Sequence, residues 1–223
     1  GRREKMKHLQ PPSHLLAEQS VKDFTPLRAT DAPAPGGGSA AALEGAMGAA
    51  LTAMVCELTL GKEKYAAHRE DIVAIRDKAE TLREKLLQAM DEDTEAFLQV
   101  SRAFAMAKAT DEEKAARSAA IQKGLAQCTE TPLHVMELAA DTLVMTASLP
   151  GRFNESAASD LGVAALSLRA CVRGAWLNVL INVESLKDKD LAAQYRRQGE
   201  TVLKRAMELA DQIDGAIMAV LGE

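Results

Sequence analysis

The stretch at residues 90–97, "MDEDTEAF", carries four carboxylates, Asp91, Glu92, Asp93 and Glu95, with no lysine or arginine among them. Like charges at this spacing repel on a helix, so the arrangement costs stability unless something offsets it. Asp91 and Glu95 stand four apart and share one face. Asp93 shares its face with the apolar Met90 and Phe97, so its carboxyl is expected to point inward. A carboxyl taken out of water keeps its proton to higher pH and can serve as a general acid or base. A solvated acidic patch is the alternative reading of the same residues.

Gly174, Asn178 and Asn182 follow at four-residue steps, one stripe of a helix that is otherwise almost wholly apolar. Two amides on a buried stripe must find partners. They can bond each other or a neighbouring helix, or they can read the edge of a flat heterocycle. Upstream, "NESAASD" sets Asn154 in a loop and Asp160 at the start of that helix, where N-capping competes with a chemical role. "PGGGS", which contains Gly36, Gly37, Gly38 and Ser39, opens an alanine-rich run. Free N–H groups at a helix start favour anions. The run lacks the lysine of a phosphate-binding P-loop, and a tight turn with Ser39 as N-cap accounts for it as well. "LTLGKEKY" ends the same helix at Gly61, with Lys62 and Tyr65 just beyond. A lysine there can be a solvated partner of the helix dipole. The four histidines show no metal spacing and no Ser-His-Asp or HExxH set is present, so no metal site is expected. Cys56, Cys128 and Cys171 form no CxxC pair; reduced thiols in the cytoplasm fit best.

Something must position these groups. The chain is 47% hydrophobic and 26% charged but only 3% aromatic. A core built mainly of Ala, Leu and Met predicts an all-α fold. A net charge of −5 argues against a nucleic-acid partner. No apolar run is expected to reach the roughly 18 residues of a membrane span. Residues 1–14 read as a disordered leader, and 15–223 as one helical domain. The spacing predicts a short amphipathic segment at "SHLLAEQSVKDF", then helices at Ser39–Gly61, Tyr65–Ala107, Asp111–Leu149 (bent at Pro132), Ser159–Val183 and Asp190–Leu221. Such long helices with short loops form an antiparallel bundle of five to six helices. Gly45 and Gly48 inside the first long helix imply close packing there.

Taken in order, "PAPGGGSAAALEGAMGAALTAMVCELTLGKEKY", "DEDTEAF", "NESAASDLGVAA" and "GAWLNVLIN" resemble the cyclodeaminase/cyclohydrolase family over about residues 15–220. No formiminotransferase domain is attached, so the free-standing bacterial form is expected. The resemblance implies a homodimeric helical bundle acting on a tetrahydrofolate derivative, with no metal or organic cofactor. The first expected reaction is cyclodeamination of 5-formiminotetrahydrofolate to 5,10-methenyltetrahydrofolate and ammonia. The alternative is hydrolysis of the methenyl compound to 10-formyltetrahydrofolate. A folate binder without turnover, or a helical scaffold, is the non-enzymatic alternative. Carried over residue by residue, Asp160, Asp93 and Lys62 are the catalytic candidates. Gly36, Gly37, Gly38, Ser39, Tyr65, Lys108, Asn154, Asn178 and Asn182 are the substrate-binding candidates. The chain departs from the family pattern at Phe153-Asn154, where Gly-Asn is common, and at Met106-Ala107-Lys108, where Leu-Pro-Lys is common.

Overall fold

The computed structural model describes residues 15–31 and 34–222; the expected leader at 1–14 lies outside the described residues. Among the described residues six α-helices follow one another: α1 (Val21–Arg28), α2 (Gly37–Leu60), α3 (Arg69–Phe104), α4 (Asp111–Ala147), α5 (Ala158–Val183) and α6 (Lys189–Leu221). Short 3-10 turns occur at Leu16–Glu18, Glu63–His68 and Glu155–Ala157. No strand occurs among the described residues.

Local chemistry sets most boundaries. Thr110 caps α4 in a reciprocal box with Glu113, whose carboxylate also accepts from the Thr110 N–H. The Asp188 side chain accepts from the N–H groups of Asp190 and Leu191 at the start of α6. Such caps satisfy donors that the first helical turn leaves free. Two boundaries differ from expectation. The long third helix starts at Arg69, because residues 63–68 wind into a 3-10 turn that holds Tyr65. α2 starts at Gly37 with Gly36 as N-cap, so Ser39 is inside the helix and is not its cap.

The five long helices run up, down, up, down, up. Gly45 of α2 faces Leu86 of α3 and Cys171 of α5, and a Cβ there would come within 3.0 Å and 2.7 Å of those side chains. A Cβ on Gly48 would stand 2.5 Å from Leu168. The glycines therefore permit the close helix approach that their cost in propensity implied. Thr52 and Thr146 meet between α2 and α4 through hydroxyls 2.8 Å apart. The core is Ala- and Leu-rich, with Ile72, Leu82, Leu86, Met136, Leu143, Leu161, Leu168 and Ile213 fully enclosed. Phe97, expected on the inner face of α3, is exposed instead. α4 continues through Pro132 without a break.

The expectation about apolar runs needs correction. α2 and the segment Glu155–Val183 are long and apolar enough, by length and composition, to cross a membrane. In the structure they pack against each other, each with one face turned into the bundle.

Candidate functional site

The N-terminus of α2 has no side-chain cap of its own, because Gly36 holds that position. Asp93 of α3 closes it from outside. Its carboxylate accepts from the Ser39 backbone N–H and from Ser39 Oγ, the latter at 3.1 Å from Oδ2. A Cβ on Gly38 would overlap Asp93 Oδ1 at 2.2 Å, so only glycine lets this carboxylate sit against the helix start. Burial pushes the Asp93 carboxyl above its ordinary value, opposed by the Ser39 hydrogen bonds. Ser39 Oγ also lies 3.0 Å from the Met90 carbonyl and 3.2 Å from Thr94 Oγ1. A serine hydroxyl has a single proton. When that proton goes to the Met90 carbonyl, only a protonated Asp93 can bond to Ser39 Oγ, while the Ser39 N–H still favours the carboxylate.

α5 completes this end. Asn178 Nδ2 donates to the Gly174 carbonyl at 2.9 Å, and a Cβ on Gly37 would stand 3.5 Å from the same nitrogen. Asn182 Nδ2 donates to the carbonyls of Cys128 and Asn178, at 2.8 Å and 2.9 Å. Among the described residues neither amide oxygen has a protein donor. Cys128 lies near enough to Asp93 for that carboxylate to help raise its thiol to about 11, after burial as the main cause. Gly36–Ser39, Asp93, Asn178 and Asn182 thus form one cluster. Lys108 is exposed in the α3–α4 connection at the same end.

The other predicted residues collect at the opposite end of α2. Asn154 is anchored there: its N–H donates to Thr59 Oγ1 at 2.9 Å, its Nδ2 to the Leu58 carbonyl at 3.3 Å, and its Oδ1 accepts from Ser156. Asp160 is half-buried in the first turn of α5, whose N-cap is Ala157, and makes no hydrogen bond or ion pair among the described residues. Lys62 is exposed, and Tyr65 is half-buried with Lys64 Nζ 5.2 Å from its ring centre. α2 has 24 residues, a length of about 36 Å. Within one chain the two groups do not meet.

Thr94 and Thr59 join the site without having been singled out. Each stood inside a quoted motif, beside Asp93 and before Gly61, and a hydroxyl next to a candidate carboxylate or helix end was the available signal. The Phe153 departure is explained by packing, since its ring is enclosed in the core while Asn154 keeps the turn.

Fold and site describe a helical bundle that gathers its polar groups at two ends of one helix. A family model described as formiminotransferase-cyclodeaminase matches residues 20–201. The methenyltetrahydrofolate cyclohydrolase of Methylorubrum extorquens is 39% identical over 199 residues, 89% of this chain and 96% of that protein. The formimidoyltransferase-cyclodeaminase of Sus scrofa is 33% identical over 87% of this chain, which spans 36% of that longer protein. The crystal structure of formiminotetrahydrofolate cyclodeaminase from Thermotoga maritima superposes with a TM-score of 0.82 at 25% identity, covering 92% of this chain and 98% of that one. The chain belongs to the formiminotransferase-cyclodeaminase family of folate one-carbon proteins.

Proposed function

We propose that this protein hydrolyses 5,10-methenyltetrahydrofolate to 10-formyltetrahydrofolate. The observation that carries the reading is the 39% identity to the Methylorubrum cyclohydrolase along 96% of that protein. Sequence motifs put cyclodeamination first, and the fold match to the Thermotoga cyclodeaminase keeps it as the second reading. Both reactions pass through a tetrahedral carbon between the folate nitrogens N5 and N10.

In the hydrolysis, water adds to the bridging carbon and loses a proton. The remaining hydroxyl proton leaves as the bond from that carbon to N5 breaks, N5 takes a proton, and the formyl group stays on N10. One water is consumed and one proton released. A half-buried carboxyl held above its ordinary pKa suits both transfers, so Asp93 is the first candidate base and acid. Asp160 is the second. Lys62 and Lys108 would hold substrate carboxylates. Asn154, Asn178, Asn182 and the Gly36–Ser39 backbone would orient the pterin, with Tyr65 stacking on it or donating to it. Proton transfers of this kind need no metal or organic cofactor. The three buried free cysteines suit a reducing cytoplasm.

We also infer that a second copy completes the site. Met47, Met54 and Leu58 of α2 and Val163, Leu166, Leu177 and Ile181 of α5 are 38–70% exposed, on two helices that pack together. An apolar face this long marks an interface. With a two-fold axis in this face and perpendicular to α2, the α2 helices of the two copies run in opposite directions. The Asp93 end of one chain then lies beside the Asp160 end of its partner.

Absorbance at the methenyltetrahydrofolate band tests the reaction. Accelerated loss of the band supports hydrolysis. Its appearance from 5-formiminotetrahydrofolate with ammonia release supports the second reading, and no acceleration in either assay overturns both.

A further inference from the structure

Proline inside a helix is costly, because residue i lacks the N–H that would bond the carbonyl of residue i−4, and its ring pushes that carbonyl aside. Pro132 lies in the middle of α4, and the carbonyl four residues before it belongs to Cys128. That carbonyl is the one to which Asn182 Nδ2 donates, at 2.8 Å. The second amide hydrogen of Asn182 goes to the Asn178 carbonyl at 2.9 Å. An asparagine amide has two hydrogens and one oxygen. With both hydrogens on main-chain carbonyls, the amide cannot be turned end for end, since its oxygen would face two other oxygens. Asn182 therefore meets any ligand with Oδ1 alone.

We propose that Pro132 is a positioning residue: with no ladder N–H to share the Cys128 carbonyl with Asn182 Nδ2, it fixes the Asn182 amide as a hydrogen-bond acceptor that selects ligands offering an N–H at this point of the site. The inference rests on the folate reading above for the identity of that ligand, a reduced pterin with N–H groups along its edge. The positioning itself is a property of the free protein. Asn178 differs: one hydrogen of its Nδ2 goes to the Gly174 carbonyl, so its amide offers the site both an oxygen and an N–H, and the acceptor-only group here is Asn182.

The test compares wild type, Pro132→Ala, Asn182→Ala and the double variant. Alanine restores the missing ladder hydrogen bond, so Pro132→Ala is expected to melt at the same temperature as wild type or higher. Its KM for methenyltetrahydrofolate is expected to rise about tenfold, as for loss of a hydrogen bond inside a buried site. Asn182→Ala should show at least as large a rise and the double variant no further one, since both changes act on the same contact, that of Asn182 Oδ1. Additive losses, or a Pro132→Ala protein that loses stability along with affinity, would overturn the proposal. A second readout needs no folate. In ligand-free protein the Asn182 side-chain NH2 protons should exchange slowly with water and about ten times faster in Pro132→Ala, on NMR. Equal exchange in the two proteins overturns the positioning. Faster exchange in a protein that neither binds nor converts folates keeps the positioning and rejects the folate reading.

Discussion

Ser39 and Asp93, 54 residues apart in sequence, form a cap in trans: the Asp93 carboxylate accepts both the backbone N–H and the hydroxyl of Ser39 and closes the start of α2. A cap normally comes from the residue just before the helix. Here that residue is Gly36, and the adjacent Gly38 leaves room for the foreign carboxylate. One group therefore serves both helix stability and the proposed chemistry.

Gly38→Ala should displace Asp93, because its Cβ would fall 2.2 Å from Oδ1. Turnover should drop about a hundredfold, the usual scale for losing a positioned acid or base. Gly215→Ala, in α6 and outside the site, meets no atom within 4 Å and should be nearly silent in kcat. Equal effects at the two positions would show that the carboxylate is not held by this contact.

Asp93→Asn should lower kcat about a hundredfold and remove the acid limb of the pH profile. Stability should also change with pH. The folded carboxyl titrates above the unfolded one, so the folded state binds the proton more tightly. Its favourable contribution is complete below the unfolded value of 3.8 and is lost as pH rises through the folded value. The melting temperature of Asp93→Asn relative to wild type should therefore increase from pH 4 to pH 7.

Asn182→Asp should destabilise more than Asn182→Ala. The aspartate would set a carboxylate against the carbonyls of Cys128 and Asn178. Removing the amide alone should cost about 1–3 kcal/mol in urea unfolding, the range for a buried carbonyl left without its donor.

Mixing two inactive variants tests the shared site. If Asp93 of one chain works with Asp160 of the other, subunit exchange between Asp93→Asn and Asp160→Asn proteins should restore about a quarter of wild-type activity, since half of the dimers are mixed and each has one intact site. A site within one chain predicts no recovery. Leu177→Glu, on the exposed apolar face of α5, should give monomers by light scattering and lose activity with them.

Helix type and order were legible from local pattern alone. Alanine-rich periodicity, the Thr110 and Asp188 caps and the internal glycines act within a few residues, and α2 to α6 lie close to where they were expected. Asp93 was legible as an inward carboxylate because Met90 shares its face. Other features had no local signature. Ser39 looks like an N-cap in sequence and turns out to bridge to α3, because its partner is 54 residues away. Pro132 suggests a bend, and only the packing of α5 on α4 shows that its freed carbonyl is taken by Asn182. The motifs also look like one site in sequence, whereas α2, about 36 Å long, keeps two groups of them apart. Sequence fixes which residues share a helix face; which helix ends meet depends on how whole helices pack, within one chain and between two.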